Sequence, residues 1–277
     1  MQWIEMVKAV ILGIIQGITE WLPISSTGHM ILADQFLKLA GSENFVNVFM
    51  VVIQFGSILA VVTLYFHKLN PFSPKKDKQQ KSDTWQMWFK VLVACVPAAI
   101  IGIVFGDQIH KYLYNAPVVA AALIVYGVLF IILENRHKKP KMKSISNLTY
   151  KTALMIGVFQ VLALVPGTSR SGSTILGAVL LGASRGMAAE FSFFLAVPVM
   201  FGASLVELLK EGLAFTGAEW GILIMGMVVA YVVSIFAIKF LMNYIRKHDF
   251  KAFGYYRIIL GIIVILYFAV SGAAVIG

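Results

Sequence analysis

Residues 219–242 read EWGILIMGMVVAYVVSIFAIKFLM, and after Glu219 the only charge in the stretch is Lys239. A helix of about 20 apolar residues crosses the roughly 30 Å hydrocarbon core of a bilayer, because its backbone groups hydrogen-bond to one another and not to lipid. Lys239 is placed to snorkel toward the nearer surface. Outward from this stretch the pattern recurs at 91–106, 117–133 and 258–276. Over all 277 residues, 59% are apolar and 13% charged, and the mean hydropathy is +0.84. A soluble domain carries about a quarter charged residues, so a soluble fold is excluded. The chain reads as an all-α polytopic membrane protein forming a single membrane domain over 1–277.

The net charge of +10 does not point to nucleic acid, because the cations cluster in short loops between apolar runs. Six Lys and Arg lie in residues 67–90, six in 134–151, and Arg246, Lys247 and Lys251 in 243–254. The positive-inside bias makes these loops cytoplasmic, and anionic headgroups are their natural partners. Cys95, the single cysteine, lies within an apolar run and reads as packing material. Met1 to Lys8 lacks a basic region ahead of its first apolar stretch, so it reads as a first membrane segment and not as a cleaved signal.

The chain also resembles itself. At an offset of 144 residues, GIIQGITEWLPISSTGHMIL (13–32) lies over GVFQVLALVPGTSRSGSTIL (157–176), pairing Gly13 with Gly157, Gln16 with Gln160, Ser25 with Ser169 and Gly28 with Gly172. Loop sidedness sets the orientation of the halves. With 67–90 and 134–151 inside, 107–116 is outside. With 243–254 inside, 209–218 and the tail after Tyr256 are outside. The loop after the third segment is therefore inside in the first half and outside in the second. That makes 1–135 and 150–277 inverted repeats of five plus five apolar segments, about six of them full spans. Residues 6–18 and 27–40, and likewise 152–165 and 172–183, are too short for ordinary spans and flank Pro- and Gly-bearing stretches. They are expected to be broken or re-entrant helices, which are tolerated at membrane depth only where protein or a water-filled cavity satisfies the backbone. Interruptions at matching places in inverted halves point to a binding site.

Both polar motifs sit at those interruptions. The first holds Gln16 and Glu20, which share a helix face, followed by Pro23-Ile24-Ser25-Ser26-Thr27-Gly28-His29. The second is Pro166-Gly167-Thr168-Ser169-Arg170-Ser171-Gly172-Ser173-Thr174. A carboxylate at membrane depth faces a cavity or a partner, and Arg170 is a ready partner for Glu20. Glycine lets backbone approach a ligand, and hydroxyls and amides suit an anion, more so if a helix opens at Ser171 or Gly172. A guanidinium fits two phosphate oxygens at once. This inventory suits phosphoryl transfer, with Arg170 neutralising charge on the phosphoryl group. Ser26 is a candidate nucleophile with His29 or Glu20 as base, and His29 itself or a water are the alternatives. Glu20 and Gln16 are the candidate ligands of a divalent cation, magnesium or calcium, bridging a diphosphate. Ser25, Thr27, Gly167, Ser169, Ser171, Ser173 and Thr174, with Gln16, are the substrate-binding candidates.

Other residues carry plainer readings. Trp3, Trp21, Trp85, Trp88 and Trp220 fall near segment ends, as an interfacial aromatic belt places them. Arg185 and Glu190 are expected to cap and pair locally at the start of their helix. His67, His110, His137 and His248 lie in loops without metal-ligand spacing. No nucleotide-binding loop is present. Small-residue faces at 119–127 and 226–237 suit helix packing within the chain or in a homodimer.

QGITEWLPISSTGH at 16–29 and PGTSRSGST at 166–174 together resemble the BacA/UppP family of undecaprenyl diphosphate phosphatases. The resemblance implies hydrolysis of undecaprenyl diphosphate to the monophosphate in the bacterial plasma membrane, recycling the lipid carrier for peptidoglycan precursors. It also implies bacitracin resistance, dependence on a divalent cation and a site open to the extracytoplasmic face. Carried onto this chain, the family's acidic-pair positions are Gln16 and Glu20, its proposed nucleophile is Ser26, and His29, Ser169, Arg170 and Thr174 complete the site. Gln16 stands where the family has Glu or Gln, so one carboxylate is absent and more weight falls on Glu20. The alternative class is a flippase or transporter of a polyprenyl phosphate, which shares broken helices and inverted repeats. It has less use for a nucleophilic serine beside a histidine, and a purely structural scaffold leaves the buried Glu, His and Arg without a role.

Overall fold

The structure is a computed structural model that describes residues 2–136, 139–212 and 214–271. His137 and Lys138 of the second basic stretch, and the end of the last apolar run from 272, lie outside the described residues. Those described form helices α1 (Gln2–Thr19), α2 (Ser26–Phe36), α3 (Glu43–Leu64), α4 (Phe66–Leu69), α5 (Lys78–Leu113), α6 (Ala116–Asn135), α7 (Tyr150–Val161), α8 (Arg170–Leu180), α9 (Arg185–Glu211), α10 (Gly217–Lys247) and α11 (Lys251–Ser271). Among them there is no strand, only an isolated bridge between Met142 and Ala183.

Six helices, α3, α5, α6, α9, α10 and α11, are long and apolar enough to cross a membrane. Their outward faces are apolar: Ile103 on α5 is 85% exposed and Phe236 on α10 67%. Side chains of that size and polarity are at rest in lipid and not in water. The chain is an all-α, multi-pass membrane protein. The short helices fall at the predicted interruptions, α1 and α2 around Pro23 and α7 and α8 around Pro166.

Helices run further than the apolar stretches that announce them, because polar residues cap and extend them beyond the apolar window. The expected loop 107–116 shrinks to Tyr114 and Asn115, since α5 continues to Leu113 and Asn115 caps α6 through Val118 N. Asp77 opens α5 with a capping box to Gln80, and Thr216 opens α10 with one to Glu219, which satisfies first-turn amides.

In packing, α6 lies on α11, α1 on α10, α5 on α7, and α3 lies against both α9 and α10. Small residues set the closeness. A Cβ on Gly127 would sit 2.6 Å from the Gly254 carbonyl, and one on Gly254 would sit 2.7 Å from that of Gly127. The small-residue faces at 119–127 and 226–237 thus pack this chain on itself, on α11 and on α1 and α3 respectively. Arg185 and Glu190 do not pair locally. Arg185 meets the buried Glu134 of α6, which also accepts from Phe250 N at 3.2 Å, and Glu190 pairs with Lys68 of α4. Both carboxylates sit where distant helices converge, which sequence spacing alone does not reveal.

Candidate functional site

The two helix breaks share one local geometry. Ser25 and Ser169, 144 residues apart, are the only non-glycine residues with positive φ among those described, at 75° and 73°. Each caps the short helix that follows, its hydroxyl accepting from Gly28 N or Gly172 N. α8 therefore opens at Arg170, one residue ahead of the expected start. Such backbone costs on the order of 1–3 kcal/mol and persists where the surroundings over-determine it, commonly at functional sites. Gly167 has φ +89°, and a Cβ there would lie 2.5 Å from the Val119 carbonyl. Gly167→Ala is expected to destabilise by about 2 kcal/mol or more. A thermal melt in detergent checks this, with wild-type stability as the contrary result.

The breaks bring the two motifs together. Glu20, 6% exposed, uses both carboxylate oxygens. Oε1 accepts from Arg170 Nη2 at 3.0 Å across 150 residues of sequence. Oε2 accepts from Gln16 Nε2 and from Ser26 Oγ, each at 3.0 Å. Arg170 Nη1 donates to the Ser192 carbonyl of α9 at 2.8 Å, and the guanidinium lies over the Trp21 ring at 5.7 Å. Trp21 is fully buried with Phe193 on its edge, so it belongs to the floor of the site and not to an interfacial belt. The reason is the helix break, which turns this segment inward. Arg170 Nε is buried and has no acceptor among the described residues.

His29 is tethered elsewhere. Its Nδ1 lies 2.7 Å from the Ser25 carbonyl and its Nε2 2.6 Å from the Tyr256 hydroxyl, with the rings stacked. A carbonyl only accepts, so Nδ1 carries a proton and Nε2 of the neutral ring receives the tyrosine O–H. Most of the other hydroxyls hold the site's backbone. Ser171 Oγ donates to the Glu20 and Leu22 carbonyls, Ser173 Oγ to that of Arg170, and Thr174 Oγ1 meets Ser192 Oγ at 2.7 Å. Ser169 caps α8 and Ser25 caps α2. Gln16, Ser26 and Thr27 line a cavity of about 550 Å³ that runs to Asp34, Gln54, His110, Tyr114 and Glu207. His110, assigned to a loop on sequence, is thus a helical residue of α5 facing the site.

Arg257 is the residue sequence reasoning passed over. It is fully buried on α11, with no carboxylate in ion-pair contact among the described residues. Nη2 donates to the Gly167 and Thr168 carbonyls at 2.9 Å each, and Nη1 to that of Pro23 at 3.2 Å. One guanidinium thus binds the turn of each motif.

A divalent cation of the magnesium or calcium type asks for oxygen donors. The Glu20 carboxylate and the Gln16 amide oxygen are hard ligands on one helix face, and no group of three or more His, Cys, Asp or Glu gathers among the described residues. Those two oxygens would hold a magnesium-type ion in place of some of the hydrogen bonds that Glu20 now accepts from Arg170, Gln16 and Ser26. They are too few for a calcium cage of roughly six to eight protein oxygens.

Relatives match the chain over nearly its whole length. The chain is 63% identical over 265 residues to "Undecaprenyl-diphosphatase 1" of Clostridioides difficile, covering 96% of this chain and 97% of that protein. It is 61% identical over 267 residues to "Undecaprenyl-diphosphatase" of Acetivibrio thermocellus, covering 96% and 98%. The protein of the same name from Enterococcus faecalis is 61% identical over 269 residues, covering 95% and 98%. The model of one family, described as bacitracin resistance protein BacA, matches residues 9–263, and the chain belongs to that family.

Proposed function

We infer that this chain is an integral membrane phosphatase that hydrolyses undecaprenyl diphosphate to undecaprenyl phosphate and inorganic phosphate. It thereby recycles the lipid carrier for cell-wall synthesis and confers bacitracin resistance, since bacitracin sequesters the diphosphate. Family membership and the names of relatives at 57–63% identity support the activity. The observation that carries the chemistry is the junction of the two motifs, Ser26 and Arg170 on the two oxygens of Glu20, each at 3.0 Å. A transporter also uses broken helices, but it has less use for a serine held on a carboxylate.

The proposed roles follow from that contact. Ser26 Oγ attacks the terminal phosphorus while its proton passes to Glu20 Oε2. The bridging P–O bond breaks and the prenyl monophosphate leaves. Glu20 gives that proton to the departing phosphate oxygen, then takes one from the water that hydrolyses the serine phosphate and returns it to Ser26 Oγ. Arg170, through Nε and the amino groups it shares with Glu20, neutralises the phosphoryl oxygens as charge spreads. Gln16 and Thr27 contact the diphosphate from the cavity wall. Glu20 and Gln16 would hold the divalent cation, which when bound offsets the diphosphate charge.

The site is proposed to open to the extracytoplasmic face of the bacterial plasma membrane. Its cavity reaches the C-terminal end of α5 and Glu207 near that of α9, opposite the ends that carry the basic loops. The matched caps at Ser25 and Ser169 likewise support reading 1–135 and 150–277 as inverted repeats, with the site between them.

The test is phosphate release from a polyprenyl diphosphate by the purified protein, with magnesium, with calcium and with a chelator. Wild type is expected to turn over with a cation and to lose turnover in chelator. Ser26→Ala and Glu20→Gln are each expected to fall by about 10³-fold or more while remaining folded. Turnover by Ser26→Ala near the wild-type rate would move the attack to His29 or water. No release from folded wild type with any cation would falsify the phosphatase reading.

A further inference from the structure

Phe193 and Phe194 are neighbours on α9 with different outlooks. Phe193 packs on Trp21 beneath Arg170. Phe194 lines a second cavity of about 550 Å³ at the opposite end of the bundle. This cavity opens between the α4–α5 connection, the start of α5, the residues before α7, and α9. Lys68, Lys76, Lys90 and Lys143 face it, against two carboxylates, Asp83 and Glu190.

The two carboxylates offset only part of the charge of the four lysines. Glu190 is engaged by Lys68, and Asp83, which accepts from the Gln79 amide at 2.9 Å, keeps its charge. Lys76 is held in place, donating to Thr84 Oγ1 at 2.7 Å and to the Lys68 carbonyl at 3.1 Å. Lys90 is different. Its stem is covered, leaving the residue 6% exposed, and its ammonium makes no hydrogen bond or ion pair with any described residue, lying 5.8 Å from the Tyr150 ring centroid and within the field of Asp83. The covered stem carries the charge to the cavity, where an anion can meet it. The exposed Lys143 also lines the cavity and makes no ion pair among the described residues.

The surroundings set the depth. Phe72 and Trp85 are 74% and 43% exposed and pack edge to face at 5.7 Å just outside the cavity. Exposed aromatics of this kind sit at headgroup level, and basic pockets between spanning helices at the cytoplasmic surface suit phosphate headgroups. Lysines are point charges that bind phosphate without a fixed geometry.

We propose that this cavity is a second anion site, distinct from the hydrolytic one, in which Lys90 and Lys143, backed by Lys76, bind a phosphate group supplied by an anionic phospholipid headgroup or by free inorganic phosphate. The site stands independently of the hydrolytic activity.

Native mass spectrometry of the full-length, detergent-purified protein tests the lipid source, comparing phosphatidylglycerol with phosphatidylcholine. A thermal shift with inorganic phosphate against chloride at equal ionic strength tests the free anion. Wild type is run beside Lys90→Gln, Lys143→Gln and the double variant, with Lys90→Met as a second form that keeps the apolar stem should the amide disturb folding. Phosphate bound at the Ser26 site is common to all of these, so the difference between them reports the cavity. The expected result is preferential retention of phosphatidylglycerol, weakened about fivefold for each lysine removed. Protection by phosphate alone, lost in the double variant, assigns the same site to the free anion. Equal retention of both lipids together with no phosphate protection overturns the proposal, as does any signal that survives unchanged in the folded variants.

Discussion

Arg170→Ala is expected to lower phosphate release from a polyprenyl diphosphate by about 10³-fold or more, the scale on which an arginine stabilises a phosphoryl transition state. The guanidinium has two jobs that the substitution removes together. It holds Glu20 Oε1 at 3.0 Å, fixing the carboxylate whose other oxygen accepts the Ser26 hydrogen bond. Its buried Nε has no acceptor among the described residues, so a phosphoryl oxygen entering beside Ser26 would complete its bonding. Arg170→Lys keeps one charge and loses the planar fork that reaches Glu20 and Ser192 together, so it is expected to remain impaired by about 10²-fold. A loss of activity through unfolding is separated by melting each variant in detergent. It is separated again by Glu20→Gln combined with Arg170→Met, which removes both buried charges and is expected to restore stability without restoring turnover. Arg170→Ala releasing phosphate within about tenfold of wild type would confine Arg170 to a structural link.

The parts of this molecule that follow from one-dimensional patterns were legible before any coordinates. A lipid-facing helix needs a long apolar run, so the spans announce themselves. A buried carboxylate needs a partner, so Glu20 and Arg170, alone at two matching interruptions, were an expected pair. What the sequence hides is direction. It shows that 168–174 is rich in hydroxyls but not that Ser171, Ser173 and Thr174 turn to backbone carbonyls and Ser192 while Ser26 alone among the serines turns to the Glu20 carboxylate. Trp21 reads as an interfacial residue because it follows a helix end, and only the inward turn of the break buries it. Arg257 was hidden for a related reason. It follows a basic loop and two tyrosines, a context that reads as the headgroup edge of a span. A signal existed, since Gly254, Arg257 and Gly261 recur at helical spacing and so share the face packed on α6. A cation on a glycine-lined face has to find its acceptors inside the protein.

Those acceptors make Arg257 the second position with a large expected effect. A helix break inside a membrane leaves carbonyls that the helix no longer satisfies, and no water reaches them. Here the Pro23 carbonyl comes from one break and the Gly167 and Thr168 carbonyls from the other, and a single guanidinium serves all three. Its ring contact is Tyr126, 5.4 Å from the centroid, and Tyr256, the preceding residue, holds His29. Arg257→Met would strand three carbonyls that place Ser26 on one side and Arg170 on the other. The expected cost is about 3 kcal/mol or more, which for a chain of this size lowers the melting temperature by roughly 10 °C. Arg257→Lys has donors enough for the strongest contacts, so it is expected to recover much of the stability. Turnover is the readout that separates a positioning role from a purely structural one. With Ser26 and Arg170 no longer held in register, Arg257→Lys is expected to lower kcat while leaving KM little changed, because the chemistry depends on their relative placement more than binding does. A well-folded Arg257→Lys with wild-type kcat would show that the two breaks keep their register without this residue's geometry, and that Arg257 serves folding alone.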